Sequence, residues 1–310
     1  MQPQLNAKTS SSPTRHNWRV WWTLTRPHTL TAAFVPVLIG TALSLPYTKL
    51  DIPLFIMMLL ASLIIQIATN MINEYYDFKR GLDHEGSVGI GGAIVRDGVK
   101  PKTVIALAFV LFGIATLLGV YICMESSWWL ALVGIISMAA AYFYTGGPYP
   151  IAYTPFGEIV AGLFMGILII LIAFFIQTGT VTGESVLVSM PIGILVGAIL
   201  LANNIRDLDG DKENGRKTLA ILVGRKNAII VLATMFAVSY IWIIALILSG
   251  LISPWTLLVF LSIPKPIQAT KGFIGKTIPI TMMPAMKATA QTNTIFGFLL
   301  AIGILLSYFI

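Results

Sequence analysis

Asn203-Asn204-Ile205-Arg206-Asp207-Leu208-Asp209-Gly210-Asp211-Lys212 follows without a break on the uncharged apolar run from Val186 to Ala202. Such a run reads as a membrane-spanning helix, and charge begins where it stops. At about 3.6 residues per turn, Asn203, Asp207 and Asp211 stand four apart and share one stripe, while Asp209 points elsewhere. Two carboxylates and an amide on one stripe repel each other when unpaired, so the pattern makes best sense around a cation. Hard oxygen donors select Mg²⁺ or a close relative.

A second stretch repeats the pattern earlier in the chain: Asn73-Glu74-Tyr75-Tyr76-Asp77-Phe78-Lys79-Arg80-Gly81-Leu82-Asp83, after the apolar run Ile52 to Met71. Asn73 and Asp77 match Asn203 and Asp207 in spacing. Asn70, Asn73 and Asp77 fall on one helical face, with Glu74 at its border. Two acidic helix ends can therefore oppose each other. Basic residues stand close behind them: Lys79 and Arg80 in one, Arg206, Lys212, Arg216 and Lys217 in the other. Opposed carboxylates backed by cations describe a site for a metal-bridged diphosphate. Asp83, beyond the helix and after Gly81, reads either as a loop acid or as part of the site.

Composition sets the solvent. Of 310 residues, 56% are hydrophobic and 11% charged, with a mean hydropathy of +0.85, which excludes an ordinary soluble domain. The single cysteine, Cys123, excludes an intrachain disulfide and a multi-cysteine metal site. A net charge of +7 would suggest nucleic acid in a soluble protein, but here it has a topological explanation and no nucleic-acid partner is expected.

Residues 1 to 17 are polar with little to bury and are expected to be a disordered tail ahead of one transmembrane domain over 18 to 310. Trp18, Trp21 and Trp22 beside Arg15 and Arg19 read as an interfacial anchor. Nine spans are expected, near Pro27–Leu45, Ile52–Tyr76, Thr103–Met124, Trp128–Tyr144, Phe156–Gln177, Val186–Asn204, Ala228–Ser249, Pro254–Ala269 and Thr292–Ile310. With nine spans, 19 of the 20 basic residues fall on one side and only Lys49 opposite. The positive-inside rule makes that side cytoplasmic, with the N-terminus and both acidic motifs facing it.

Two connections stand out. Gly86-Ser87-Val88-Gly89-Ile90-Gly91-Gly92-Ala93, followed by Arg96 and Asp97, offers backbone N–H groups to an anion and reads as a cap over the site, against the simpler reading of a flexible linker. Tyr142 to Tyr153 is aromatic and carries no charge; Tyr144 and Tyr149 belong either to an interfacial belt or to a site where aromatic faces steady a carbocation. Arg26 is either a snorkelling anchor or a partner for an anionic substrate.

On both acidic motifs the chain resembles the UbiA superfamily of intramembrane prenyltransferases. The resemblance implies an all-α, polytopic fold of nine transmembrane helices around a central cavity with a cytoplasmic cap. It implies Mg²⁺ held by Asn73, Asp77, Asn203, Asp207 and Asp211, and an isoprenyl diphosphate neutralised by Lys79, Arg206, Lys212, Arg216 and Lys217. Within the superfamily, Arg26-Pro27-His28-Thr29-Leu30, Gly91 through Gly98, Tyr144-Thr145-Gly146-Gly147-Pro148 and Gly215-Arg216-Lys217-Thr218-Leu219 look most like the members that prenylate 1,4-dihydroxy-2-naphthoate with loss of CO₂ on the way to menaquinone. The first motif departs from the usual pattern, in which an Asp stands at the place of Glu74 and another at Gly81; here Asp83 comes two residues later. Gly146-Gly147 stands where hydroxybenzoate-type members tend to carry Lys-Arg. Rival readings are a UbiA-type enzyme for another aromatic acceptor and a cation-coupled transporter, whose binding groups usually sit nearer the membrane midplane.

Overall fold

The computed structural model describes residues 18–82 and 92–310, with the backbone alone at His28. The expected tail over 1 to 17, Asp83 and most of the glycine-rich connection lie outside the described residues. Twelve α-helices are defined here: α1 Trp18–Leu24, α2 Thr31–Ser44, α3 Ile52–Lys79, α4 Ala93–Arg96, α5 Pro101–Glu125, α6 Trp129–Thr145, α7 Gly157–Thr178, α8 Gly183–Glu213, α9 Leu219–Val223, α10 Arg225–Leu248, α11 Pro264–Phe273 and α12 Pro279–Phe309. The described residues contain no strand.

Six of these helices, α3, α5, α7, α8, α10 and α12, are long and apolar enough to cross a membrane, and the chain is a multi-pass membrane protein. Helices α2 and α6 are apolar but shorter. The expected span from Pro254 to Ala269 is instead a 3₁₀ stretch, Pro254–Ser262, followed by α11. Pro264 and Pro266 explain the break, because each withholds the backbone donor that a continuous helix needs. Helix α12 starts at Pro279, well before the expected Thr292, and so carries Lys287 on its surface. Proline at a helix start costs nothing, since that N–H has no partner in any case.

The core gathers on α8. Leu195, Ala198, Leu201, Ala202 and Ile205 are almost fully buried against α2, α7, α10 and α12. Close approach to α7 depends on glycine. A Cβ added at Gly162 would lie 2.4 Å from the Gly193 carbonyl oxygen, and one at Gly166 would lie 2.5 Å from the Gly193 Cα. Within α7, residues Gly162–Leu168 are wound as a π-helix. Such turns widen the ladder and commonly mark functional positions.

At 31 residues, α8 is about 46 Å long, against a hydrocarbon core of about 30 Å. Its polar end therefore projects beyond the apolar segment. Helix α3 ends in the same manner, and the two termini share one geometry. Gly81 and Gly215 adopt left-handed backbones at φ 72° and 74°. The next amides return to the acidic motifs: Leu82 N–H donates to the Asp77 carbonyl at 2.9 Å and Arg216 N–H to the Asp211 carbonyl at 3.0 Å. Both are Schellman caps, which only glycine enters without strain. They set Asp77 equivalent to Asp211, one turn out of register with the pairing of Asn73 and Asp77 to Asn203 and Asp207 suggested by residue spacing.

Candidate active site

The two caps bring the acidic ends of α3 and α8 to a single guanidinium. Arg216, placed by the Gly215 turn, reaches Asp77 Oδ1 at 3.4 Å and Asp211 Oδ1 at 3.1 Å. Its plane lies 4.7 Å from the centre of the Tyr153 ring. Burial alone would lower the Arg216 pKa, but Asp211 and Asp77 outweigh it and raise the value, so the side chain stays charged. Lys217 N–H donates to the Tyr153 carbonyl at 2.9 Å, tying this turn to the aromatic connection. Arg80, which donates to the carbonyls of Thr145 and Gly147, stands 5.2 Å from the centre of the same ring. One tyrosine thus lies against two cations, one from each motif.

The remaining acids have individual partners. Asp207 forms a two-point pair with Arg206, at 2.7 Å and 2.5 Å. Asp209 faces away to Arg225 at 2.9 Å, as its position on the helix predicts. Asn73 Oδ1 accepts from Thr145 Oγ1 at 2.5 Å. Asn203 is half-buried on α8, and its neighbour Asn204 donates to Glu158 Oε1 at 2.8 Å.

Glu74 does not turn toward the other carboxylates. It is 1% exposed, pairs with Arg26 at 3.0 Å, and accepts from the backbone N–H groups of Gly92 at 2.6 Å and Ile94 at 3.3 Å. Arg26 is the only non-glycine residue with positive φ among the described residues, at 50°, so its backbone is held against its own preference. Glu74 therefore binds three pieces of chain together: the turn before α2, helix α3 and the start of α4. The departure of the first motif from the usual Asp thus has a structural account.

Other expected site residues are dispersed. Lys79 is exposed at the end of α3, within 6.0 Å of the Tyr75 and Tyr76 rings. Lys212 and Lys217 are exposed beside Arg216. Arg96 is exposed on α4, its guanidinium folded over Gly92, where an added Cβ would meet Nε at 2.7 Å. Tyr144 is packed against the main core, whereas Tyr149 is 90% exposed. Residue spacing did not single out Thr145, Tyr153, Glu158 or Asn204 for the site.

A divalent cation suits these groups. Asp211 Oδ2 is buried with no hydrogen-bond partner, a hard anionic oxygen that requires a cation or donor. Among the described residues no three His, Cys, Asp or Glu side chains gather closely enough to hold an ion alone. Mg²⁺ is commonly held by one or two carboxylates with substrate phosphates completing the shell.

A polytopic helical bundle with two acidic helix ends, backed by cations and meeting at one guanidinium, has the groups to take a metal-bridged anion at the end of its membrane-spanning helices. Residues 33–271 match the model of the UbiA prenyltransferase family, and the chain belongs to that family. It is 62% identical over 291 residues to the 1,4-dihydroxy-2-naphthoate octaprenyltransferase of Bacillus subtilis (strain 168), covering 94% of each chain. Identity to the Escherichia coli (strain K12) 1,4-dihydroxy-2-naphthoate octaprenyltransferase is 28%, over 93% of this chain and 96% of that one. Among solved structures, a UbiA homologue from Archaeoglobus fulgidus bound to GPP and Mg²⁺ shares the fold with a TM-score of 0.66 at 15% identity, covering 91% of this chain and 99% of that chain.

Proposed function

We propose that this prenyltransferase moves an isoprenyl chain from its diphosphate to 1,4-dihydroxy-2-naphthoate, releasing diphosphate and CO₂ and forming a demethylmenaquinol. The observation that carries the reading is the convergence of Asp77 and Asp211 on Arg216, with the acceptor taken from the 62% identical relative. Asp77, Asp207 and Asp211, assisted by Asn73 and Asn203, would hold Mg²⁺. When bound, the ion neutralises charge on the leaving diphosphate. Arg216, with Lys212, Lys217, Lys79 and Arg206 nearby, draws the diphosphate to this end of the bundle and stabilises its growing charge as the allylic C–O bond breaks. Tyr153 keeps the Arg216 plane in place. Tyr144 offers an aromatic surface to a carbon gaining positive charge, as would Tyr149 only after turning inward.

Apolar helix faces accommodate the isoprenyl tail, and the low water content beneath the motifs protects the cation from hydrolysis. Arg96 orients the acceptor's carboxylate; Arg26, bound to Glu74, is the alternative partner. We read nine membrane passages, with α2, α6 and the Pro254–Phe273 segment completing the six long helices, and put both motifs and the N-terminus on the cytoplasmic side of a cell membrane by the positive-inside rule. The test is the mass of the product formed by purified protein from dihydroxynaphthoate, Mg²⁺ and a series of isoprenyl diphosphates. A prenylated product lighter by CO₂ supports the reading; diphosphate release with other aromatic acids but not this one refutes the acceptor.

A further inference from the structure

We propose that Glu158 is a recognition subsite for a ring hydroxyl of the aromatic acceptor; this rests on the prenyl-transfer reading above. Glu158 opens α7 and is 5% exposed. The glycine contacts between α7 and α8 hold it against the second motif's helix: a Cβ on Gly197 would lie 3.0 Å from the Glu158 carbonyl oxygen. Its Oε1 accepts from Asn204 Nδ2 at 2.8 Å, which fixes the carboxylate's direction, and its Oε2 is buried with no hydrogen-bond partner. A buried carboxylate oxygen left unmet is costly, and the groups that satisfy it are donors.

The position along α8 identifies the ligand. Asn204, Asp207 and Asp211 are spaced i, i+3 and i+7 and share one face. At 1.5 Å per residue, Asn204 lies about 4.5 Å deeper toward the membrane than Asp207 and about 10 Å deeper than Asp211. A diphosphate engaged by Asp207 and Asp211 therefore leaves the level of Glu158 for what reacts beneath it. The equivalent position on α3 is closed: Asn70 donates to the Thr25 carbonyl and Thr29 Oγ1, both at 2.9 Å, and accepts from Gln66. On the α8 side, by contrast, Glu158 Oε2 is among the buried oxygens that have no partner within the described residues.

A naphthalene hydroxyl is a donor of the right kind. Glu158 Oε2 repels the acceptor's carboxylate and accepts its hydroxyl, so the ring enters in one orientation. A hydroxyl hydrogen-bonded to a carboxylate carries more electron density on oxygen and hence in the ring that attacks. Tyr144 is close by, its hydroxyl 3.2 Å from where a Cβ on the neighbouring Gly157 would stand.

The experiment measures binding by calorimetry with the full chain and no isoprenyl diphosphate. The ligands are 1,4-dihydroxy-2-naphthoate and 2-naphthoate, which lacks both hydroxyls. Wild-type protein is expected to prefer the dihydroxy acid roughly tenfold or more, the effect of one hydrogen bond to a charged group. Glu158→Leu should abolish that preference with the 2-naphthoate affinity unchanged, and Glu158→Gln, which keeps an acceptor oxygen and the Asn204 contact, should retain part of it. If the Leu variant does not fold, the Gln variant still reads the loss. A preference that persists at full size in either folded variant overturns the proposal. Wild-type protein that binds an isoprenyl diphosphate and Mn²⁺ but shows no hydroxyl preference also overturns it, with the prenyl-transfer reading intact. Failure to bind the isoprenyl diphosphate at all refutes that reading itself.

Discussion

Replacing Arg216 with Gln tests whether the two motifs form one unit. The guanidinium is 14% exposed and meets Asp211, at 8%, and Asp77, at 23%. Removing one member of a buried ion cluster costs about 3 to 5 kcal/mol, because the partners are left as unpaired buried charges. Partial exposure of Asp77 lets water screen it, so about 2 to 4 kcal/mol is expected here. At about 2 to 4 °C per kcal/mol for a large domain, the apparent melting temperature should fall by about 4 to 16 °C. Purified protein in detergent micelles, followed by tryptophan fluorescence on heating, provides the readout. Millimolar Mg²⁺ should recover more of the melting temperature in the variant than it adds to wild type, because a cation that binds the folded state stabilises it and the variant has the larger unmet charge. The Michaelis constant for the isoprenyl diphosphate should rise as well. A variant that melts with wild type in the absence of Mg²⁺, or a gap that Mg²⁺ leaves unchanged, would refute the idea that Arg216 couples the motifs electrostatically.

Asp77→Asn and Asp207→Asn should each lower kcat/KM for prenyl transfer by about 100- to 1000-fold while membrane insertion stays normal, since a clamp on charge is lost and no span is; near-normal turnover of a folded variant at saturating Mg²⁺ would contradict the assignment. Glu74→Ala should free the amides of Gly92 and Ile94 and raise hydrogen exchange across 92–96, while Mn²⁺ binding measured by electron paramagnetic resonance is unchanged. A loss of Mn²⁺ affinity would instead make Glu74 a metal ligand. In a Cys123→Ala background, single cysteines beside Arg96 and Lys212 should be labelled from the cytoplasmic face; labelling only from outside would invert the topology.

Much of this arrangement is legible in the sequence because lipid simplifies the rules. An apolar run has to be a helix in a bilayer, so Val186 to Ala202 announces α8, and the sudden charge at Asn203 announces the membrane boundary. Helical period then aligns Asp207 with Asp211. What period cannot supply is the cap. Counted from the caps, Asp77 stands where Asp211 does, one turn from the spacing match of Asn73 and Asp77 to Asn203 and Asp207, because Gly81 and Gly215 lie outside the matched residues. The fate of Glu74 was hidden for a related reason: its partners, Arg26 and Gly92, are distant in sequence and meet it only after α3 has packed.

Glu158 differs from both. A lone acid ahead of a long apolar run is expensive in lipid and by default marks function. Glu158 falls inside the expected span Phe156–Gln177, but no residue spacing links it to either acidic motif. The structure makes it an interior group, because Gly162, Gly166 and Gly193 let α7 and α8 approach until the first turn of α7 lies beside Asn204. Those glycines read in sequence only as general permission for close helices. Their particular use is to carry a carboxylate to the level beneath the acidic motifs. Bulkier residues at Gly162 or Gly193 would therefore push Glu158 away from Asn204, and on the proposal above would disturb acceptor binding before the acidic ends of α3 and α8.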